Sequence, residues 1–200
     1  MADARPRPLI YIVRHGQTAW NAEGRLQGQA ETDITELGRA QADANGAKLG
    51  SLIQEPEAFD FVASPMRRTR ETMRRIRTAM RLDADGYRVD PRLVEVSFGD
   101  WQGFTFVELD AMTPGVTAQR SRDKWNFLPP GEGAESYQML LERIVPVFEE
   151  FLQPTVCVTH GGVIRALFRH VTGLSMKEAA RMPVPQDRVL RFEAGRLAWV

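Results

Sequence analysis

Short continuous apolar runs alternate along the chain with longer segments whose apolar residues recur every three or four positions. The continuous runs are typical of strands buried on both faces, and they lie at 9–13, 59–63, 87–89, 155–159, 189–193 and 197–200. The periodic segments are typical of helices with one buried face, and they lie at about 35–53, 64–80, 104–112, 137–152 and 163–171. Strands that alternate with helices predict an α/β fold, a three-layer αβα sandwich around a largely parallel mixed sheet.

Three local signals refine the predicted helices. Ser64 followed by Pro65 predicts a helix start in which Ser64 is the N-cap residue. Pro146 lies inside the fourth periodic segment, where its missing N–H predicts a kink or a local break. In the first periodic segment, the residues expected on the buried face of the helix are Leu37, Ala40, Ala44, Leu52 and Ile53.

No internal repeat or linker divides the chain, so we expect a single domain over 1–200. The stretch 113–133 is polar, punctuated by Pro and Gly, and too long for a simple connection. We therefore expect a small insertion of helices and loops over about 104–135, lying over the functional site. The leader at 4–8 lacks a small-residue cleavage site, and no apolar run reaches the roughly 18 residues of a membrane helix. A cytoplasmic location is expected.

The charges of the chain balance, with 26 Lys and Arg against 26 Asp and Glu. This balance counts against a protein whose main partner is a nucleic acid or an anionic membrane, because both attract a positive excess. Residues 67–81 depart from it, with seven Arg and one Glu. A nucleic-acid patch is one interpretation, but most of these Arg lie off the apolar stripe, which favours a solvated helix face. The lone Cys157 excludes an intramolecular disulfide and is expected to be an inert core residue.

Two of the three histidines, His15 and His160, directly follow predicted strands, and each is followed by glycine. Ligands of open α/β sheets bind outside the carboxyl ends of the strands, where backbone amides can point at an anion. Arg14 adjoins His15, and Arg68 lies in the first turn of the helix after the second strand. Two imidazoles and two guanidinium groups suit a tetrahedral dianion such as a phosphoryl group. A single histidine at a strand end is more often structural, but two in matching positions favour a functional site, whereas His170 is interpreted as structural.

A series of blocks, in order along nearly the whole chain, resembles the signature of the histidine phosphatase superfamily, in its phosphoglycerate-mutase-like branch. The blocks are RHGQTAWN at 14–21, GRLQG at 24–28, 33–42, SPMRRT at 64–69, LVE at 93–95, FGDWQG at 98–103, ES at 135–136 and THGGVIR at 159–165. The departures are small: Met66 replaces a common Leu, Thr69 a common Ala and Gln102 a common Glu, and Ala134 interrupts the Gly before the ES block.

The resemblance implies a phosphomonoesterase and a mechanism. His15 is then the nucleophile that attacks phosphorus in line and gives a phosphohistidine, which water hydrolyses. Glu95 is the general acid and later the base, ahead of Asp100, and burial must raise the pKa of Glu95 for it to donate a proton near neutral pH. The other implied site residues hold the phosphoryl group or the substrate, and they are Arg14, Asn21, Gln27, Gly28, Arg68, His160 and Gly161.

Two alternatives remain open: a cofactor-dependent phosphoglycerate mutase-type transfer, and a non-catalytic phosphate-binding module that keeps the fold. The family's mutases are typically longer, so the chain leans towards a phosphatase. For that activity no cofactor and no metal is expected, because Arg and His side chains already neutralise the dianion. The expected partner is a small phosphorylated metabolite, with no nucleic acid and no membrane, and a homodimer is left open.

The substrate itself is not named by these motifs. We expect its specificity to come from residues around Gln27, from 98–104 and from the stretch that holds Arg120, Arg122, Lys124 and Trp125. A basic insertion over the site favours substrates with a second anionic group. Solvated surface is an equally good interpretation of the same residues.

Overall fold

The structure, a computed structural model, describes residues 8–200. Residues 4–7 of the predicted leader lie outside the described residues. Six strands form one sheet, and they are β1 (Ile10–Arg14), β2 (Asp60–Ala63), β3 (Arg88–Val89), β4 (Thr155–Thr159), β5 (Val189–Glu193) and β6 (Arg196–Trp199). Their order across the sheet is β3-β2-β4-β1-β5-β6.

The four strands from β3 to β1 run parallel, and β5 and β6 are antiparallel additions at one edge. Within the parallel part, Arg14 of β1 lies opposite Thr159 of β4. The chain therefore leaves both strands at the same edge of the sheet. Because of this register, His15 and His160, which directly follow the two strands, lie side by side.

Helices cover both faces of the sheet. Within the described residues they are α1 (Ala19–Glu23), α2 (Glu36–Leu52), α3 (Arg67–Ala79), α4 (Phe106–Met112), α5 (Val116–Arg122), α6 (Tyr137–Glu149), α7 (Gly161–Thr172) and α8 (Met176–Arg181). Side chains alternate across β1: Ile10 and Ile12 join a core with α6 and α7, whereas Tyr11 and Val13 join a second core with α2 and α3. The predicted αβα sandwich is confirmed.

The buried face of α2 differs from the prediction. Leu37 and Leu52 are 54% and 37% exposed, and Ala40 and Ala44 are exposed too, whereas Ile53, directly after the helix, is buried as predicted. Small residues such as Gly46 face inward instead. A Cβ on Gly46 would lie 2.7 Å from the Cβ of Ala79 and 2.9 Å from backbone of Ile76. The close approach of α2 to α3 thus selects small residues, which an apolar pattern does not mark.

The start of α3 also differs. The helix begins at Arg67 with Met66 as its N-cap, so neither Ser64 nor Pro65 has the predicted role. The hydroxyl of Ser64 instead lies 2.8 Å from Nε2 of His160, across the end of the sheet. That tertiary hydrogen bond takes the place of a local cap.

The arginine-rich face of α3 is only partly solvated, because Arg68 and Arg77 are buried. Arg77 donates from Nε to the carbonyl of Asp83 at 2.6 Å, and its guanidinium lies 4.4 Å from the ring centre of Phe61. The exposed Arg67 pairs with Asp33 at 3.0 Å. These contacts pair part of the segment's positive charge with groups of the protein itself.

The kink or break predicted at Pro146 is absent, whereas Cys157 lies in the core as predicted. α6 continues through Pro146 to Glu149 without a break, and the N–H of Glu150 reaches the Pro146 carbonyl at 3.0 Å. The proline therefore costs one hydrogen bond near the end of the helix and does not interrupt it. Cys157 is buried, and burial raises the pKa of its thiol, as expected of an inert core residue.

The predicted insertion contains α4 and α5, and Trp125 anchors its end. Trp125 is 1% exposed and stacks on Tyr137 of α6 with ring centres 5.5 Å apart. Its Nε1 donates to Oε1 of Gln138 at 3.0 Å. Residues just before Trp125 are thereby held against the main core. Among residues 8–200, no helix is long and apolar enough to cross a membrane.

Candidate active site

His15 and His160 meet at the carboxyl ends of β1 and β4. The N–H of His15 donates to the carbonyl of Thr159 at 3.0 Å, which extends the ladder of the two strands by one residue. The two imidazole rings lie edge to face, with centres 5.2 Å apart and planes inclined by 62°. The structure therefore brings together the two histidines that the sequence singled out.

The ring of His15 is oriented by the residue that follows it. Its Nδ1 lies 2.8 Å from the carbonyl of Gly16, which can only accept, so Nδ1 carries the proton and Nε2 carries the lone pair. Burial, together with the charges of Arg68 and Arg14, holds the pKa of His15 well below 6.5. The imidazole is thus neutral at pH 7, with a nucleophilic Nε2.

Gly16 has a second role, since it lies against the start of α2. A Cβ at this position would lie 2.2 Å from the carbonyl oxygen of Gly38. The N–H of Gly16 donates to Oγ1 of Thr72 in α3 at 3.1 Å. The turn that orients His15 is therefore fixed by two helices and admits only glycine.

His160 presents its other nitrogen to the site. Its Nε2 lies 2.8 Å from the hydroxyl of Ser64. Within residues 8–200 this hydroxyl accepts from the N–H of Met66 and has no other acceptor for its own proton, so it donates to Nε2. This arrangement leaves the proton of the ring on Nδ1. Nδ1 is buried and has no hydrogen-bond partner within residues 8–200. Burial and the charge of Arg68 lower the pKa of His160 well below 6.5.

Arg14 and Arg68 are each held by backbone carbonyls. Arg14 donates from Nη1 to Val184 at 2.7 Å, and Arg68 donates to Ala30 at 2.8 Å and to Gly28 at 2.7 Å. Burial lowers the pKa of Arg14 to about 10 and also lowers that of Arg68. Both guanidinium groups are therefore charged at pH 7 and rigidly oriented.

Buried donors without acceptors concentrate in this site. In the described part of the chain, four buried side-chain nitrogen atoms lack a hydrogen-bond partner, and three of them are Nε of Arg14, Nε of Arg68 and Nδ1 of His160. Buried polar groups are nearly always paired, so a group of unpaired donors requires an explanation. All three can donate to the oxygen atoms of an anion.

Glu95 lies beside these cations. Its Oε1 accepts from the N–H of Val96 at 2.9 Å and its Oε2 from the N–H of Gly162 at 3.0 Å. Its charge opposes the lowering of the pKa of both Arg14 and Arg68. Asp100, the second candidate, is exposed. Glu95 is thus the carboxylate whose charge favours the charged form of both arginines.

A partly buried ion pair fixes the segment around Glu95. Arg143 forms a two-pronged contact with Glu135 at 2.9 and 2.7 Å, and its Nη1 donates to the carbonyls of Arg92 and Val94 at 2.6 and 3.1 Å. Such forked pairs impose geometry as well as energy. Arg143, a residue of α6, therefore fixes the backbone just before Glu95.

The remaining predicted site residues lie in α1, in the loop that follows it and at the start of α7. Oδ1 of Asn21 accepts from the N–H of Thr18 at 3.2 Å and from Nε2 of Gln186 at 3.0 Å, so its amide N–H groups are left to donate. Gln27 is buried, and it donates to Thr18 and accepts from Thr32 at 3.0 Å. Its contacts support the loop.

Gly28 and Gly161 lie next to the two arginines. The carbonyl of Gly28, which has φ +51°, accepts from Arg68. A Cβ on Gly161 would lie 3.4 Å from Nε of Arg14, so the first residue of α7 contacts that guanidinium directly. The positive end of the α7 dipole therefore adds to the charge of the site.

Sequence reasoning missed several residues on which this geometry depends. The sequence predicts a cap role for Ser64 and no role for Gly162, Arg143 or Gln186. Gly162 had the clearest signal, as the second glycine after His160. The hydrogen bonds of Arg143 and Gln186 span the tertiary structure, and no local pattern marks them.

The family model of the histidine phosphatase superfamily (branch 1) matches residues 10–200. The chain belongs to this superfamily. It is 36% identical over 186 residues to a glucosyl-3-phosphoglycerate phosphatase of Mycolicibacterium vanbaalenii. The matched region covers 85% of this chain and 76% of that relative. It is 32% identical over 171 residues to a metal-independent phosphoserine phosphatase of Arabidopsis thaliana, covering 83% of this chain and 69% of that protein.

A solved structure of mycobacterial glucosyl-3-phosphoglycerate phosphatase with VO3 is similar to the whole fold. The TM-score is 0.78 at 29% identity, over 96% of this chain and 97% of that one. The predictions of the superfamily, of the α/β fold and of a histidine phosphatase are thereby confirmed. In the described residues, no group of three or more His, Cys, Asp or Glu side chains could hold a metal ion.

Proposed function

We propose that this chain hydrolyses monoesters of small phosphorylated metabolites through a phosphohistidine on His15. One observation supports this most: three buried donors without acceptors accompany an imidazole whose Nε2 is free to attack. A phosphoryl group supplies the oxygen atoms that the donors lack. The first donor belongs to Arg14, the second to Arg68 and the third to His160.

In the proposed first step, Nε2 of His15 attacks phosphorus in line. The P–N bond forms while the P–O bond to the leaving alkoxide breaks. Arg14, Arg68 and His160 hold the phosphoryl oxygens, and Asn21 adds a neutral donor. In phosphoryl transfer, this positioning and charge stabilisation supply most of the catalysis.

Glu95 is the proposed acid and base. It protonates the leaving alkoxide and then takes a proton from the water that attacks the phosphohistidine. The two backbone donors on its oxygens support a fixed orientation beside the phosphoryl site. The second step returns the proton balance to its starting point, with inorganic phosphate as product.

Hydrolysis of p-nitrophenyl phosphate tests the proposal. His15→Ala is expected to reduce the rate to background, whereas His170→Ala, an exposed histidine of α7, serves as the matched control and keeps the rate. Acid quenching of the wild type during turnover is expected to trap an acid-labile phosphoprotein that His15→Ala does not form. An unchanged rate in His15→Ala would reject His15 as the nucleophile.

Incubation with 3-phosphoglycerate separates a phosphatase from a mutase, which would use the same residues. We expect inorganic phosphate to be released faster than the 2-isomer appears. The reverse order would replace hydrolysis by transfer as the proposed function. The cytoplasmic location, the homodimer, and the roles of Gln27, Gly28 and Gly161 in binding remain predictions.

A further inference from the structure

Arg120 is a buried cation with no hydrogen-bond or carboxylate partner in the described part of the chain. This residue of α5 is 8% exposed, and within residues 8–200 its guanidinium makes neither a hydrogen bond nor an ion pair. It lies over two aromatic rings, 5.1 Å from the centre of Phe106 and 5.9 Å from that of Phe98. Burying a guanidinium without a carboxylate is costly, so the site is arranged for an anion that the chain itself does not supply.

Arg165 connects Arg120 with the phosphoryl site. Its Nε donates to the carbonyl of Met182 at 2.9 Å, and its Nη1 lies 3.3 Å from the position of a Cβ on Gly161. Nε of Arg14 lies 3.4 Å from that same position. The charge of Arg165 lowers the pKa of both Arg14 and Arg120, so it acts on both.

Lys124 completes a cationic cluster, defined as Arg120, Lys124 and Arg165. Its Nζ donates to the carbonyl of Ala180 and lies 5.7 Å from the ring centre of Tyr137. Burial, followed by the charges of the other two members, lowers the pKa of Lys124 to about 7. Among the described residues, no member of the cluster forms an ion pair with a carboxylate.

Tyr137 lies beside the cluster, since its ring centre is 5.7 Å from Nζ of Lys124. Tyr137 is 4% exposed, and its hydroxyl makes no hydrogen bond within residues 8–200. Glu95 also acts on Lys124, but its two oxygens are already held by backbone N–H groups. The cluster thus has donors and positive charge in excess of its acceptors.

We propose that the cationic cluster and the hydroxyl of Tyr137 bind a carboxylate of the substrate while its phosphoryl group lies on His15. The preferred substrates are then phosphate monoesters that carry a carboxylate a few bonds from the ester. The inference rests on the proposed function and narrows its substrate class. A planar carboxylate fits the fork of a guanidinium, and two such forks are present.

The test uses a matched pair of esters, 3-phosphoglycerate and glycerol 3-phosphate, which differ by a carboxylate in place of a hydroxymethyl group. Wild-type kcat/KM is expected to favour 3-phosphoglycerate by about tenfold or more, the usual effect of one hydrogen bond to a charged group. Arg120→Gln is expected to remove most of this preference, and Lys124→Gln provides a second variant if the first folds poorly. Arg122→Gln, an exposed arginine of the same helix, is the control and keeps the preference.

Binding gives a readout that does not depend on turnover. Calorimetry with His15→Ala is expected to show tighter binding of 3-phosphoglycerate than of glycerol 3-phosphate, and the double variant with Arg120→Gln is expected to lose the difference. Equal binding of the two esters would overturn the carboxylate subsite, whatever the hydrolysis assays give. Tighter binding of glycerol 1,3-bisphosphate than of 3-phosphoglycerate would replace the carboxylate by a second phosphate. A wild type that hydrolyses neither ester nor aryl phosphate contradicts the proposed function instead.

Discussion

Gly162 and Glu95 are packed so closely that no methyl group fits between them. The N–H of Gly162 donates to Oε2 of Glu95 at 3.0 Å, and a Cβ on Gly162 would lie 2.1 Å from Oε1. Gly162→Ala must therefore displace the carboxylate. Because general acid catalysis contributes about 10² to 10⁴ in rate, we expect kcat for alkyl phosphates to fall by at least about 100-fold.

The leaving group distinguishes a displaced acid from general damage. p-Nitrophenolate leaves without protonation, so Gly162→Ala should hydrolyse p-nitrophenyl phosphate with a much smaller loss than glycerol 3-phosphate. Gly50→Ala is the control, because a Cβ there meets only Met80 Cγ at 3.9 Å. Equal losses for both substrates would show that Gly162 does not act through Glu95.

The two buried histidines predict a loss of stability in acid. Burial, aided by the charge of Arg68, holds the pKa of His15 and of His160 well below 6.5 in the folded protein, while the unfolded chain titrates near 6.5. Below pH 6.5 the unfolded state then binds protons that the folded state does not. The free energy of unfolding therefore decreases as the pH is lowered. Each histidine contributes about 1.4 kcal/mol per pH unit until its folded pKa is reached.

Denaturant unfolding between pH 5 and 8 measures this effect. Single replacements, His15→Asn and His160→Asn, should each remove about half of the slope below pH 6.5, and the double variant should remove most of it. A slope that neither replacement alters would assign the acid sensitivity to other groups.

The contacts of Ser64 predict a positioning role for it. Its hydroxyl donates to Nε2 of His160 and so leaves a proton on Nδ1, the nitrogen without a protein partner. In Ser64→Ala both tautomers of His160 become accessible, and the Nδ1 donor is present only part of the time. We expect inorganic phosphate to inhibit the variant about tenfold more weakly, in line with the loss of a hydrogen bond to a charged group.

The inhibition constant of phosphate against p-nitrophenyl phosphate provides the measurement. Ser51→Ala is a suitable control, because Ser51 is exposed and its hydroxyl donates only to the Lys48 carbonyl at 2.7 Å. Unchanged inhibition in Ser64→Ala would mean that the hydrogen bond does not select the tautomer. Restoration by Ser64→Thr would support the hydroxyl as the active feature.

The parts of the fold that could be predicted are those with a local physical signature. Buried parallel strands need continuous apolar residues, so β1 and β4 were predicted, and the glycines after them identified the two histidines. Arg68 followed from its motif. The inward face of α2 could not be predicted in this way, because close packing on α3 selects Gly46 and leaves Leu37 exposed.

The site was less predictable where one side chain has a partner distant in the sequence. Ser64 resembles a helix cap in the sequence, and only the fold brings His160 against it. From the sequence alone, Arg120 fits a basic subsite and a solvated surface equally well. Its burial over Phe98 and Phe106 decides against solvated surface, and that burial depends on how the insertion folds back.

Lys124 predicts a pH dependence that is specific to substrates with a carboxylate. Burial and the charges of Arg120, Arg165 and Arg181 lower its pKa to about 7, against the opposing charge of Glu95, and Nζ also lies over the ring of Tyr137. Above that pH Lys124 is neutral and contributes no charge to the cationic cluster. KM for 3-phosphoglycerate should therefore rise between pH 6 and 8 relative to KM for glycerol 3-phosphate.

The ratio of the two KM values removes the ionisation of the phosphate itself, which both esters share. Lys124→Met should give a ratio that is independent of pH and close to the high-pH value of the wild type. Lys177→Met, at an exposed lysine of α8, should keep the wild-type profile. If the wild-type ratio is flat across this range, Lys124 does not face the carboxylate, because a titrating ammonium group within the subsite must alter the affinity for an anion.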